Sequence, residues 1–187
     1  MTRQHDAARA LLAEIEAVFA RADPELAIDL AFELGAARRI LCHSAGRTGL
    51  VLRGLVMRLH HLGLDAHMVG DMTAPPIGSG DVLLVNASTG DLPSGVAHLA
   101  SAAACGARGI VITAAEEGAA LAAASRVFRL PAQTMRDDLS SECPSAMPMG
   151  SQYELALTLL GELVVLALMR EKGLGFADLR ARHANIL

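Results

Sequence analysis

Apolar residues recur at three- and four-residue intervals from about Asp6 to Ala22, where Leu11, Leu12, Ile15, Val18 and Phe19 share one stripe. That spacing predicts an amphipathic helix. Asp23-Pro24 restarts the chain, with Asp as N-cap and Pro at the first helical position, and a second helix is expected to end near Leu34-Gly35. From Ile40 to His43 the pattern becomes a short continuous apolar run, which reads as a buried strand. Ser44 to Gly49 is a loop of small residues, and helical spacing returns from Thr48 to Leu62, stopping at Gly63.

The same alternation continues. Ala66 to Val69 is expected as a second strand, Asp71 to Gly80 as a loop with two prolines, and Asp81 to Val85 as a third strand. Asn86-Ala87-Ser88-Thr89-Gly90-Asp91 is a second hydroxyl-bearing loop, followed by a helix from Pro93-Ser94 to Cys105-Gly106. Gly109 to Thr113 and Arg126 to Leu130 read as fourth and fifth strands around a short helix, Gly118 to Ala124. After the polar, proline-marked segment Pro131 to Pro148 comes a helix over Ser151 to Lys172, apolar nearly all round, and then a short helix from Phe176 to Arg182. Repeated strand, loop and helix predict an α/β fold, in which both hydroxyl-bearing loops lie at the carboxyl edge of a parallel sheet. An all-round apolar helix needs partners on both sides, so part of 151–172 is expected at a subunit contact.

Composition narrows the partners. The 187 residues suffice for one domain, and 52% hydrophobic with 3% aromatic residues suits a core of small aliphatic side chains. A net charge of −4 with scattered arginines argues against a nucleic-acid partner. The most apolar run, Leu155 to Met169, reads as too short to span a bilayer and contains Glu162, and Met1 to Asp6 lacks a leader's apolar core, so no membrane is expected. Cys42, Cys105 and Cys143 form an odd set without metal-ligand spacing, which suggests a reducing cytoplasm. Cys42 and Cys105 read as buried hydrophobes and Cys143 as an inert loop thiol.

The candidate chemistry sits in few places. Ser44, Gly46, Arg47 and Thr48 combine a strand end with a helix start, where backbone amides and hydroxyls converge on a phosphate; an ordinary connecting turn explains the same residues. Ser88 and Thr89 repeat the arrangement. Glu154 lies three residues after Ser151, the spacing of a capping box, and a carboxylate at a helix start is equally placed to take a proton from carbon. His183 lies in a tail that could simply fray, and the seven histidines show no metal-ligand spacing, so no metal is expected.

These motifs resemble the sugar isomerase (SIS) domain family of phosphosugar isomerases and phosphosugar-binding proteins, and within it most closely the 6-phospho-3-hexuloisomerases. The resemblance runs through Gly46-Arg47-Thr48-Gly49-Leu50, Met57-Arg58-Leu59, His61-Leu62-Gly63, Val69-Gly70-Asp71, Pro148-Met149-Gly150-Ser151 with Glu154, and Ala181-Arg182-His183-Ala184-Asn185. It implies a single domain over 1–187, a five-stranded parallel sheet flanked by helices in three layers, and helices 1–35 and 151–187 packing on the core and at subunit interfaces. It also implies a homotetramer with active sites partly shared between subunits. The implied reaction interconverts 3-hexulose 6-phosphate and fructose 6-phosphate through an enediol, without a cofactor. Glu154 would be the base, His183 would assist proton movement at oxygen, Thr48 would bind phosphate, and His61 falls on a family histidine.

Two loops depart from the family pattern. Where it reads Ser-Gly-Ser-Gly-x-Thr, this chain has Ala87-Ser88-Thr89-Gly90-Asp91-Leu92, and Ser44 stands where glycine is usual. The second loop therefore loses two hydroxyls, worth roughly 1–3 kcal/mol of phosphate binding. The leading expectation is a cytoplasmic ketose-phosphate isomerase. An isomerase of another phosphosugar and a phosphosugar-binding regulatory module without turnover stay open.

Overall fold

In the computed structural model, which describes residues 3–140 and 145–186, the β/α alternation forms one parallel sheet. Two helices, α1 (Arg3–Arg21) and α2 (Leu26–Gly35), precede β1 (Ile40–His43), α3 (Gly46–His61), β2 (Ala66–Met68) and β3 (Val82–Asn86). Then come α4 (Pro93–Ala104), β4 (Arg108–Thr113), α5 (Ala119–Ala122), β5 (Arg126–Arg129), α6 (Ser151–Lys172) and α7 (Phe176–Ala181). The strand order is β2-β1-β3-β4-β5, all neighbours parallel. The expected five-stranded three-layer α/β fold is therefore what the chain forms.

Alternation along the strands sorts the core into two layers. Ile40, Cys42, Val82, Leu84, Ile110 and Ile112 face α1, α2, α3, α6 and α7, whereas Leu41, Leu83, Val85 and Val111 face α4 and α5. Each fully buried aliphatic side chain contributes about 1.5–3 kcal/mol. β1 sends its chain to α3 on one face and β3 sends its chain to α4 on the other. The crevice between those two exits is the topological switch point where open α/β sheets bind ligands.

A buried carboxylate ties α2 to the sheet. Glu33 on α2, 7% exposed, receives Arg108 from β4 and Arg126 from β5. Burial acts to raise its pKa, but the hydrogen bonds from Arg126 and Arg108 outweigh burial and hold the carboxyl below its usual range.

Several local expectations change. Asp23 does not cap α2: its Oδ1 accepts from the Glu25 N–H at 2.9 Å, and the helix begins only at Leu26. That bond makes Asp23-Pro24 a turn ahead of the helix. Leu12 is 69% exposed, so the buried stripe of α1 narrows to Ile15 and Val18. Cys42 is buried, its thiol pushed up to about 12 by desolvation, but Cys105 is exposed because it closes α4 at the surface. Cys143 and Met1-Thr2 lie outside the described residues. Finally, α6 runs for 22 residues and is long and apolar enough to cross a membrane, so shortness is no argument; its Leu157, Leu160, Val164, Val165 and Leu168 lie in the core instead.

Candidate active site

The first hydroxyl-bearing loop and the start of α6 meet over a cavity of about 340 Å³ at the switch point. Gly46, Arg47 and Thr48 line one side, Met149, Gly150, Tyr153 and Glu154 the other, and Ser88 and Thr134 close the end. The cap of α3 is Ala45, which makes no side-chain capping bond, so the amides of the first turn face the cavity without an internal partner. They carry the positive end of the helix dipole beside the Arg47 guanidinium.

Sequence spacing made Ser151 and Glu154 a capping box, and the structure replaces it with another arrangement. Gly150, in the left-handed region at φ 71°, is the cap, and Ser151 is the first helical residue. A Cβ on Gly150 would stand 2.9 Å from the Met135 nitrogen, so glycine is required both by conformation and by this close approach. The Tyr153 N–H is satisfied by Gln133 O at 3.3 Å. Arg47 then binds both members of the supposed box, its Nη1 donating to Ser151 Oγ at 3.0 Å and its Nε lying 2.8 Å from Glu154 Oε2. Met149, also left-handed at φ 58°, is held by a hydrogen bond from its N–H to Asp138 Oδ2. Such backbone strain costs about 1–3 kcal/mol and concentrates at functional sites.

Freed from capping, Glu154 is a buried carboxylate facing a cavity. It is 7% exposed, and Arg47 approaches Oε2 off the hydrogen-bond direction, which leaves that oxygen buried without a donor. Burial raises its pKa and Arg47 opposes the rise, with a net shift upward. A carboxylate with a raised pKa is, once ionised, a stronger base than an ordinary one. In Arg47→Gln burial acts unopposed, so the pH at which Glu154 takes up its proton moves further up, as carbon-13 NMR of the carboxyl will show.

The second loop borders a smaller cavity of about 260 Å³, lined by Ser88, Thr89, Thr134 and Arg136 among others, and contiguous with the first through Ser88 and Thr134. Ala87 and Leu92, the positions without the family's hydroxyls, pack into the α4-side core. Ser44 stands behind the first loop and reaches the cavity through Thr48, 2.9 Å from it. A larger cavity, about 580 Å³, lies beside β5 and shares no lining residue with either of these two. Its arginines are engaged: Arg21 by Pro131 O, Arg126 by Glu33 and Asp29, and Arg129 by Glu116.

His61 and His183 form a separate cluster. Their rings lie 5.2 Å apart at the far end of α3, and Arg182 holds the tail there by donating to His61 O at 3.2 Å. Gly63, at φ 84°, leaves room for that guanidinium, whose Nε would be 3.2 Å from a Cβ. The tail is thus docked rather than frayed. Burial, and next the neighbouring His183, lower the pKa of His61, so its ring is neutral near pH 7. Arg47 and His61 are fourteen residues apart on α3, about 21 Å at the helical rise, so one chain cannot bring its own His183 to its own Glu154. The structure groups Gly46, Arg47, Thr48, Ser88 and Glu154 in one cavity, Ser44 and Thr89 at its margins, and His61 with His183 elsewhere. Sequence reasoning missed Tyr153 and Asn86, whose side chains meet at 2.6 Å beneath the cavity. The sole tyrosine of the chain, next to Glu154, was the available signal.

No protein-family model matches the chain. A Mycobacterium gastri protein named 3-hexulose-6-phosphate isomerase is 34% identical over 92% of this chain and 86% of its own length. A Bacillus subtilis protein of the same name is 32% identical over 87% of each. A solved structure from Methanococcus jannaschii, whose description infers that molecular function, superposes with a TM-score of 0.82 at 22% identity, covering 97% of this chain and 99% of that one. At that identity the superposition establishes the fold; the two sequence relatives establish more, and the chain belongs to the 3-hexulose-6-phosphate isomerase family.

Proposed function

We propose that this chain is a cofactor-independent cytoplasmic isomerase interconverting 3-hexulose 6-phosphate and fructose 6-phosphate. The observation that carries the reading is Glu154: a buried, ionisable carboxylate without a hydrogen-bond donor on Oε2, facing a cavity whose opposite wall is a helix N-terminus. The phosphate sits on the amides of Gly46 to Thr48, with the hydroxyls of Thr48 and Ser88 and the Arg47 charge around it. Glu154 takes the proton from C2 of the 3-ketose, the electron pair forms the C2=C3 double bond, and O3 gains a proton to give the enediol. Return of the proton to C3, with loss of the O2 proton, completes the 2-ketose.

Moving a proton from O2 to O3 calls for a second group, and the neutral His61 with His183 has that chemistry. It reaches the cavity from a second copy of the chain. Leu50 and Met57 on α3, with Leu155, Leu159 and Leu166 on α6, form an exposed apolar surface, and Leu12, Ile28 and Phe32 offer another on α1 and α2. A closed homotetramer built from two-fold contacts uses two such self-complementary faces.

Proton NMR of fructose 6-phosphate with the protein in heavy water tests the reading. Conversion to the 3-ketose, or loss of the C3 hydrogen to solvent, is the expected result. Exchange at C1 would instead mean aldose–ketose chemistry. Saturable binding with neither exchange nor product would mean a regulatory module.

A further inference from the structure

Beneath the cavity a line of four polar side chains connects the start of α6 to the first loop. The Tyr153 hydroxyl lies 2.6 Å from Asn86 Oδ1, Asn86 Nδ2 lies 3.1 Å from Ser44 Oγ, and Ser44 Oγ lies 2.9 Å from Thr48 Oγ1. Tyr153 and Asn86 are both 1% exposed, and only Thr48 of the four both belongs to this line and projects from the phosphate-facing turn of α3. Two of its members, Ser44 and Asn86, come from the ends of adjacent strands, and the third, Tyr153, from a helix start far along the chain.

The direction of this line follows from counting protons. Among the described residues the tyrosine hydroxyl has no hydrogen-bond partner other than Asn86, so its buried proton is donated to Oδ1. That fixes the amide, whose Nδ2 then donates to Ser44. Burial also raises the Tyr153 pKa, which keeps the proton in place at any working pH. Ser44 and Thr48 bring two protons to four acceptor oxygens, Asn86 O, Ala45 O and each other's hydroxyl. Ala45 O, the cap carbonyl of α3, accepts an intrahelical bond in any case, so the Thr48 proton can leave it without stranding a buried group. When an anion enters, Thr48 turns its proton outward and Ser44 turns its own from Asn86 O toward Thr48, so that every side-chain bond in the line points the same way.

We infer that Tyr153, Asn86 and Ser44 are positioning residues that orient the Thr48 hydroxyl proton onto the substrate's phosphate and so supply affinity that the second loop, with Ala87 and Leu92, no longer provides. The inference rests on the placement of phosphate at the first loop. Each donor in a hydrogen-bonded line strengthens the next, and a glycine at position 44 would break the line. In Tyr153→Phe the amide loses its reason to point one way; it can turn, draw the Ser44 proton to itself and leave Thr48 to be pulled back.

The test is titration of the full-length protein with inorganic phosphate and with fructose 6-phosphate, together with kcat and KM, for Thr48→Ala, Tyr153→Phe, Ser44→Gly and the Tyr153→Phe/Ser44→Gly double variant. Tyr153→Phe and Ser44→Gly should each weaken binding about three- to tenfold and raise KM alike with kcat unchanged, and the double variant should lose no more than either single one. Multiplying losses would mean two unrelated packing effects and overturn the relay. Binding retained in Tyr153→Phe but lost in Thr48→Ala would also overturn it while leaving the phosphate at the first loop. Full binding in Thr48→Ala would remove the phosphate from that loop and take both readings with it. Should Tyr153→Phe fail to fold, the half-buried Ser44→Ala carries the test: a three- to tenfold loss upholds the relay and unchanged binding refutes it.

Discussion

Glu154→Gln will lower kcat for the ketose-phosphate interconversion by about two to four powers of ten while leaving the fold and the affinity for fructose 6-phosphate near those of the parent. Glutamine matches glutamate in size, and the structure removes the main objection to the substitution, since the carboxylate does not cap α6. Gly150 holds that end, and the Tyr153 N–H goes to Gln133 O. What the amide cannot do is accept a proton from carbon. The readouts are turnover by product detection, binding by titration and thermal unfolding. A folded variant with full activity would eliminate Glu154 as the base, and a parent protein that binds but never turns over would leave only the regulatory reading. The raised pKa adds a sign: the base works when ionised, so parental activity falls as pH drops through a value above the usual carboxylate range.

The strands, the parallel sheet and the two loops could be read from hydrophobic pattern alone, because each strand is a short apolar run bounded by turn residues and parallel strands are joined by long crossovers, most of them helical here. Pattern failed where a partner from elsewhere in the chain changed a local rule. Ser151 and Glu154 have capping-box spacing, yet Arg47, more than a hundred residues away in sequence, takes both side chains and the cap passes to glycine. Leu12 and Cys105 read as buried because neighbouring apolar residues are buried, but neither faces the core. The line from Tyr153 through Asn86 to Ser44 joins positions 67 and 42 residues apart, and hydrogen bonds of that range leave no periodic trace. Resemblance implied active sites partly shared between subunits, and the fold adds that one chain holds Glu154 and His183 apart by the length of α3.

That separation yields a result that no single-chain site can give. His183→Ala alone should reduce kcat by about a hundredfold or more, as expected for loss of a group that moves protons at the reacting oxygens. Mixed with Glu154→Gln, also inactive, and allowed to exchange subunits, it should recover activity. If each site draws its carboxylate from one copy and its histidine from another, each is native half the time in a random equal mixture, so about a quarter of the sites are whole. If both groups served one site from the same chain, no mixture would contain a native pair and activity would stay at the level of the separate variants. The ring of His61 gives the control. It is buried against His183, so His61→Asn should behave as His183→Ala does in the mixture if the two rings act together, and should leave activity intact if His61 only packs α3. Arg182 stays in place in all of these variants, so the docking of the tail on α3 is preserved and the loss reports on the imidazole.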